Sequence, residues 1–539
     1  MKKTITFHIH SYLNRIDWKL LVFLILLINV KLYIKLIALL FIFILRPGFK
    51  MLFHPNRLRI PLFYVAIIAF SVLQLLVWPS HLDNKYLPVL FSAIGFWCIS
   101  FLVLHQLRLA VDINETEKLH RTVLVFFILN AIFSIGNIFI IMIESGSLNP
   151  YRFQGLYQKY FIRTGDLIYG ISFDTSTTNA IINAFGVIYF LFRKNIFLTG
   201  LCILCLLLTT SNIINLLLAV TLLFIFIFYR NKILKSLAII CLAIMICFVA
   251  RISPENNKYM IKFYNHMITI RKNPVSLAKN PGTLPTEDDG KKIIAQQYLD
   301  SVAIVNKANK KKKKYNASAW ENFKLSNIVK RPNIHSPPYQ RKRDTSANRE
   351  LLIGQTWFLY KDSALFKILP EYERLPGKLI AFRQSLELLK SDWRYMIFGS
   401  GPGNFSSKLS FRTSGMTTFA GSFPVKYIYM DPLFKSNHLR TYLYYATKDD
   451  EKHSILNFPN SVYNQLIGEY GLMGFLLFFF LYLGYFIRHH KMLSYGFPLL
   501  IFMIAVFALD YWFEQLSIVI LFELLMLLDM KKLSKNEKS

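Results

Sequence analysis

Residues 193–250 read RKNIFLTGLCILCLLLTTSNIINLLLAVTLLFIFIFYRNKILKSLAIICLAIMICFVA. Three apolar runs, 196–210, 212–229 and 235–250, follow one another with almost no polar interruption, and each approaches the ~17–25 residues that cross a bilayer as a helix. Their junctions differ in kind. Arg193 and Lys194 precede the first run, the uncharged TTSN separates the first from the second, and Arg230, Lys232 and Lys235 separate the second from the third. A soluble protein has no reason to alternate basic and uncharged joints, whereas basic residues held on one side of a membrane produce that alternation directly.

Working outward, further runs lie near 18–30, 33–46, 60–79, 86–106, 122–143, 173–193, 463–487, 494–509 and 511–529. The expected fold is therefore an all-α polytopic membrane protein of about 12 transmembrane helices. Basic joints recur at every second position: Lys2, Lys3, Arg15 and Lys19; Arg46, Lys50, Arg57 and Arg59; Arg108, Lys118 and Arg121; Arg488 and Lys491; Lys531, Lys532 and Lys535. Both termini are thus expected in the cytoplasm, with 144–172 and 251–458 facing outward. The organisation that follows is an N-terminal bundle over 1–250, a large external loop over 251–458 and C-terminal spans with a tail over 459–539.

Composition agrees. Hydrophobic residues make up 54% of 539, with 48 Phe, above the ~45–50% of soluble domains. The 63 Lys and Arg against 31 Asp and Glu give a net charge of +32, which points to anionic lipid or an anionic substrate; the apolar runs argue against nucleic acid as the partner. The five cysteines all lie in apolar runs, so neither a disulfide framework nor a metal pair is expected, and no His or Asp cluster in the outward segments has a ligand spacing. Within the loop, Lys310–Lys314 and the cluster Arg341, Lys342 and Arg343 suit an extended segment on anionic lipid. Leu379, Phe382, Leu386, Leu389 and Trp393 recur at helical spacing and predict a helix with one buried stripe.

Three outward features carry candidate chemistry. The turn FGSGPGNF (398–405) brings Gly399, Gly401 and Gly403 together, as either a plain tight turn or one whose N–H groups meet an anion. Asn464, Gln465, Gly468 and Glu469 share one face at the start of the 463–487 run, which serves interhelical hydrogen bonding or a site. Arg152 and Arg163 stand on the outward side, where guanidinium groups suit phosphate, and Asp174, Thr175, Thr177 and Thr178 read as helix-start residues. Arg383, Glu387, Lys390 and Arg394 read as a solvated ion-pair face, and His438 and His453 stand alone.

These pieces, in this order, resemble the O-antigen polymerase/ligase (Wzy-like) family of bacterial membrane glycosyltransferases. One family signature is a G-R-x-x-x-W-x-x-A helix followed by a glycine-rich turn; here Gly377, Lys378, Phe382 and Ser385 stand at those positions, ahead of GSGPGNF. Another is H-N-x-x-L-x-x-L-x-E-x-G running into a span; here it is matched by Asn460, Ser461, Gln465, Gly468, Glu469 and Gly471. Arg163, Gly165, Asn179 and Ala180 are similar to a third, looser pattern. Lys378 replaces an Arg, Phe382 a Trp and Asn460 a His.

The resemblance implies a GT-C-like enzyme of the bacterial inner membrane with a periplasmic loop, transferring oligosaccharide repeat units from undecaprenyl pyrophosphate without metal or cofactor. The alternatives are a ligase that delivers polymer to lipid A–core and, from another class, a flippase for the same lipid-linked sugars. Implied partners are the lipid-linked oligosaccharide, membrane lipids and a chain-length regulator. On this reading Arg152, Arg163, Lys378, Gly401, Gly403 and Gln465 hold pyrophosphate and sugar, Glu469 or His453 accepts a proton, and Asn460 orients the acceptor.

Overall fold

A computed structural model describes residues 15–48, 53–54, 57–58, 60–78, 84–145, 148, 151, 165–251, 375–415, 427–447 and 455–536. Among them the chain is helical apart from a two-residue antiparallel ladder, Phe53–His54 against Arg57–Leu58. The N-terminal helices are α1 (Trp18–Ile28), α2 (Leu32–Leu45), α3 (Phe63–Val77), α4 (Leu87–Ile113), α5 (Thr116–Ser145), α6 (Ser176–Phe192), α7 (Ile196–Leu208), α8 (Asn212–Phe228) and α9 (Lys232–Arg251). The segment that follows contributes α10 (Gly377–Ser391), α11 (Trp393–Phe398), α12 (Lys408–Thr413) and α13 (Arg440–Thr447). The C-terminal region adds α14 (Val462–Arg488), α15 (Gly496–Val506), α16 (Trp512–Gln515) and α17 (Ser517–Asn536).

Three of these, Leu87–Ile113, Thr116–Ile143 and Val462–Arg488, are long and apolar enough to cross a membrane, and seven more are apolar helices of 10–17 residues. Helices α6 and α17 occupy the centre. Residues 178–191 and 517–530 are buried on every side, as expected of segments with no polar face to turn outward. The outer helices do the reverse: Leu40, Ile44, Leu76, Phe197, Phe228 and Ile246 point away from the bundle and are exposed. An apolar exterior over a packed apolar interior means that something other than water is the solvent.

The bundle has two polar ends. At one, Asp17 accepts hydrogen bonds from Arg46 and from Asn114 at 2.8 Å, its own N–H donates to Thr122 Oγ1 at 2.9 Å, and Lys531 caps the carbonyls of Val111 and Asn114. Asp17 precedes α1, and Arg46 and Asn114 follow the ends of α2 and α4. At the opposite ends of the same helices lie Val30, Leu32, Lys35 and Phe96, which line the site described below. Between the two ends, Asn130, Ser134, Asn179 and Asn183 form a buried network that also receives the Ile171 N–H, which settles the polar groups of α6 inside the apolar bundle.

Two expectations are corrected. The stripe Leu379, Phe382, Leu386 and Trp393 is exposed, not buried. The face of α10 turned inward carries Gly377, Ala381 and Ser385, with Ile380, Gln384 and Leu388 beside them. Small residues spaced by four let the helix approach closely: a Cβ on Gly377 would lie 1.8 Å from the Asn457 carbonyl oxygen. Close approach decided the face here, and side-chain hydrophobicity did not. The run 511–529, expected as one segment, is broken at Leu516, whose φ of 66° ends α16 before α17 begins.

Candidate functional site: a charged cleft at one end of the bundle

The site begins with a break in α14. Gly471 has φ 64° and ψ −165°, a region open to glycine alone. The break releases the carbonyls of Gly468 and Glu469 from the helical ladder, and the glycine turn takes them up. Ser400 N–H donates to Gly468 O at 2.9 Å, Gly401 N–H donates to Glu469 O at 3.0 Å, and Gln74 Nε2 reaches Glu469 O at 2.7 Å. Contact is too close for side chains, since a Cβ on Gly399 would lie 2.5 Å from Gly471 N.

The turn meets a carboxyl group, and that group is the protein's own. Glu469, 1% exposed, points its Oε1 back into the turn, where it accepts from Ser406 N–H at 3.1 Å, from Ser410 Oγ at 3.1 Å and from Phe405 N–H at 3.4 Å. The turn is a tight connection, and the amides at its end hold a carboxyl group of the same chain. The four-residue polar face is buried as expected, with Asn464 donating to Pro459 O at 3.0 Å and Gln465 Nε2 donating to Glu514 Oε1 at 2.8 Å.

Beyond the turn, α12 carries Lys408 and Arg412 into a cleft that they share with Lys35 of α2, Asp174 before α6, and Glu514 and Gln515 at the end of α16. Three cations face two carboxylates there, walled by Val30, Leu32 and Phe96. Lys35 and Lys408 are buried, at 3% and 7% exposure. Burial pulls the Lys408 ammonium below its ordinary value, while Asp174, Asp510 and Glu514 hold it up. A second cleft adjoins the first, lined by Ala93, Phe96, Trp97, Glu469, Tyr470, Phe513 and Glu514. Phe96 and Glu514 belong to both. Each has a free volume of about 10 Å³, room for roughly one water, so a larger ligand enters only as the walls separate.

The expected site residues distribute as follows. Arg152, Arg163 and His453 lie outside the described residues. Gly401 and Gly403 shape the turn with φ of 89° and 77°. Glu469 lines the second cleft, and Gln465 reaches both only through Glu514. Lys378, expected to face a ligand, instead donates to the carbonyls of Asn460 and Leu509, the latter at 2.8 Å. It ties α10 to the starts of α14 and α16, and burial lowers it to about 7 against the pull of Asp510. Asn460 is buried, its carbonyl taken by Lys378 and its Oδ1 unpaired among the described residues. Thr175 is a helix cap, accepting from Thr178 N–H at 3.2 Å, but Asp174 also faces the cleft. His438 packs edge-on to Phe405, and burial holds it neutral at about 3. Lys35, Lys408, Arg412 and Glu514 were not singled out by sequence. Lys35 and Glu514 do carry a signal there, as charges inside apolar runs. Comparison with family models, curated proteins and solved structures returns no match for this chain.

Proposed function

We propose that this protein is a polytopic membrane glycosyltransferase that polymerises lipid-linked oligosaccharide repeat units, using a donor on undecaprenyl pyrophosphate. The observation that carries this reading is the convergence of Lys35, Lys408 and Arg412 in one cleft inside an apolar bundle. Cations withdrawn from water cost several kcal/mol each unless an anion compensates them. Asp174, Asp510 and Glu514 act on these cations, and an entering pyrophosphate would compete with those carboxylates for them. Such a ligand must also be lipid-borne to reach a site walled by apolar helices.

Topology supports the same reading. The cleft residues come from segment ends that the alternation of basic joints assigns to the outer side: the α1–α2 turn, the start of α6, the external loop and the start of the last span. The cluster of Asp17, Arg46, Asn114 and Lys531 comes from ends assigned to the inside. The apolar exterior is then the lipid-facing surface of about twelve spans in a bacterial inner membrane, with 251–458 in the periplasm.

In the reaction proposed, an acceptor hydroxyl attacks C1 of the donor sugar and the C1–O bond to pyrophosphate breaks. Lys35, Lys408 and Arg412 stabilise the charge that develops on the leaving group. The test is deletion of the gene and electrophoresis of surface polysaccharide. A ladder collapsed to one repeat unit is expected. Loss of every unit would favour a ligase or flippase, and an unchanged ladder would overturn the assignment to polysaccharide assembly altogether.

A further inference from the structure

Three carboxylates line the clefts, and their surroundings differ: Asp174 accepts from the Thr178 hydroxyl at 2.9 Å and lines only the first cleft. Glu469 is committed to the glycine turn, where two backbone N–H groups and the Ser410 hydroxyl converge on one oxygen. Protonating or withdrawing it would release the turn. Glu514 lines both clefts, with the cations on one side and Trp97, Tyr470 and Phe513 on the other. Each of its oxygens holds one donor, Gln465 Nε2 at 2.8 Å on Oε1 and Leu409 N–H at 3.0 Å on Oε2. A carboxylate oxygen has two lone pairs, so a lone pair remains on each for an incoming hydroxyl. The backbone at this point is strained: α16 ends on Leu516 at φ 66°, a conformation costing ~1–3 kcal/mol for a side-chain-bearing residue and concentrated at functional sites.

We infer that Glu514 is the proton acceptor for the sugar hydroxyl that attacks the donor, with Gln465 positioning its carboxylate. The inference rests on the glycosyltransferase reading above. The hydroxyl proton passes to Glu514 as the oxygen bonds to C1; the C1–O pair of electrons leaves with the pyrophosphate beside Lys408, Arg412 and Lys35; Glu514 then returns its proton to water. The charged groups facing Glu514 are Glu469 from α14, Lys408 and Arg412 from α12, Lys35 from α2 and Asp174 before α6. A pyrophosphate entering beside these cations offsets their pull on the carboxylate, so basicity rises as the donor binds.

The critical variant is Glu514→Gln. Its amide oxygen still accepts from Leu409 N–H, and its NH2 can donate to Gln465 Oε1, which has no partner among the described residues. Shape and hydrogen bonding survive while basicity is lost. Purified full-length protein in proteoliposomes would be given the polyprenyl-linked oligosaccharide extracted from cells lacking the gene, and chain elongation followed across pH. Expected for the wild type is a rising limb with pH set by a single ionisation. Expected for Glu514→Gln is normal abundance, a rate about 10²–10⁴-fold lower and no such limb, with partial recovery in Glu514→Asp. A fully active Glu514→Gln, or a wild type whose rate shows no ionising base, overturns the assignment of Glu514 while leaving the glycosyltransferase reading intact. A wild type that elongates nothing from this extract overturns that reading, and the proton acceptor with it.

Discussion

Glu469 Oε1 accepts the Ser406 N–H at 3.1 Å, joining the middle of a membrane-type helix to a turn 63 residues earlier in the chain. This single carboxylate organises the contact between the glycine turn with α12 and the bundle. Hydrogen bonds to a charged group contribute ~1.5–3 kcal/mol, and an amide in its place would set an NH2 against the same N–H donors. Glu469→Gln is therefore expected to lower the unfolding midpoint and the steady-state abundance of the protein. Thermal unfolding in detergent checks this; a Glu469→Gln protein as stable as wild type would show that the turn does not depend on the charge.

Glycine at 468 and 471 is required for different reasons. A Cβ on Gly468 would lie 2.1 Å from Phe405 Cδ1, while Gly471 combines φ 64° with a Cβ position 2.7 Å from the Ile397 carbonyl carbon. Gly471→Ala meets backbone that has no room to move, on top of ~1–3 kcal/mol of conformational strain. Gly468→Ala meets a ring that could rotate away. Both should reduce abundance, Gly471→Ala more severely, as measured by membrane-fraction immunoblotting.

Lys378 gives a pH dependence whose sign is fixed. Its folded-state value of about 7 lies below the ordinary 10.5, so between those limits the unfolded chain holds a proton that the folded one lacks. Stability contributed by this group then rises with pH from about 7 toward 10.5, and below 7 the cost of the buried ammonium is felt in full. The midpoint of wild type minus that of Lys378→Met should increase over that window. A constant difference would place Lys378 in water.

Cations in the cleft should behave unlike cations on the surface. Arg383 pairs with Glu387 at 2.8 Å with both side chains more than half exposed, an arrangement contributing a few tenths of a kcal/mol. Arg383→Ala is expected to leave the polysaccharide ladder unchanged. Arg412→Ala and Lys408→Ala remove a contact to the leaving group of the order of 2.7–4 kcal/mol, a loss of about a hundredfold or more in rate, and should collapse the ladder at comparable protein levels. A dead Arg383→Ala beside an active Arg412→Ala would move the anion site to the outer face of α10.

Much of the architecture was legible because apolar runs are local: α1, α2, α3, α8 and α15 fall where hydropathy puts them. Lys35 and Glu514 were equally visible as charges in apolar runs, the latter in a run that also holds Glu523 and Asp529, but nothing local says that residues 479 positions apart share a cleft. Lys408 and Arg412 carry no sequence signal at all; they reach the cleft only because the glycine turn docks against α14 and aims α12. Face selection on α10 failed for a related reason. Leu379 and Phe382 outweigh Gly377 and Ala381 in any hydropathy measure, yet the small residues make the contact because their neighbour is backbone.

The break at Gly471 also constrains the order of synthesis. On the proposed topology residues 399–405 leave the ribosome and cross the membrane before α14 exists, so the turn waits outside without its carboxylate. When α14 arrives, the carbonyls of Gly468 and Glu469 enter the bilayer without helical partners; Gln74 of α3 offers one donor to Glu469 O, and Gly468 O is satisfied only as the waiting turn folds down onto it. Insertion of this span and closure of the external region are then one event, and a chain cut between Gly415 and Val462, made as two pieces, would be an assembly problem rather than a topology problem.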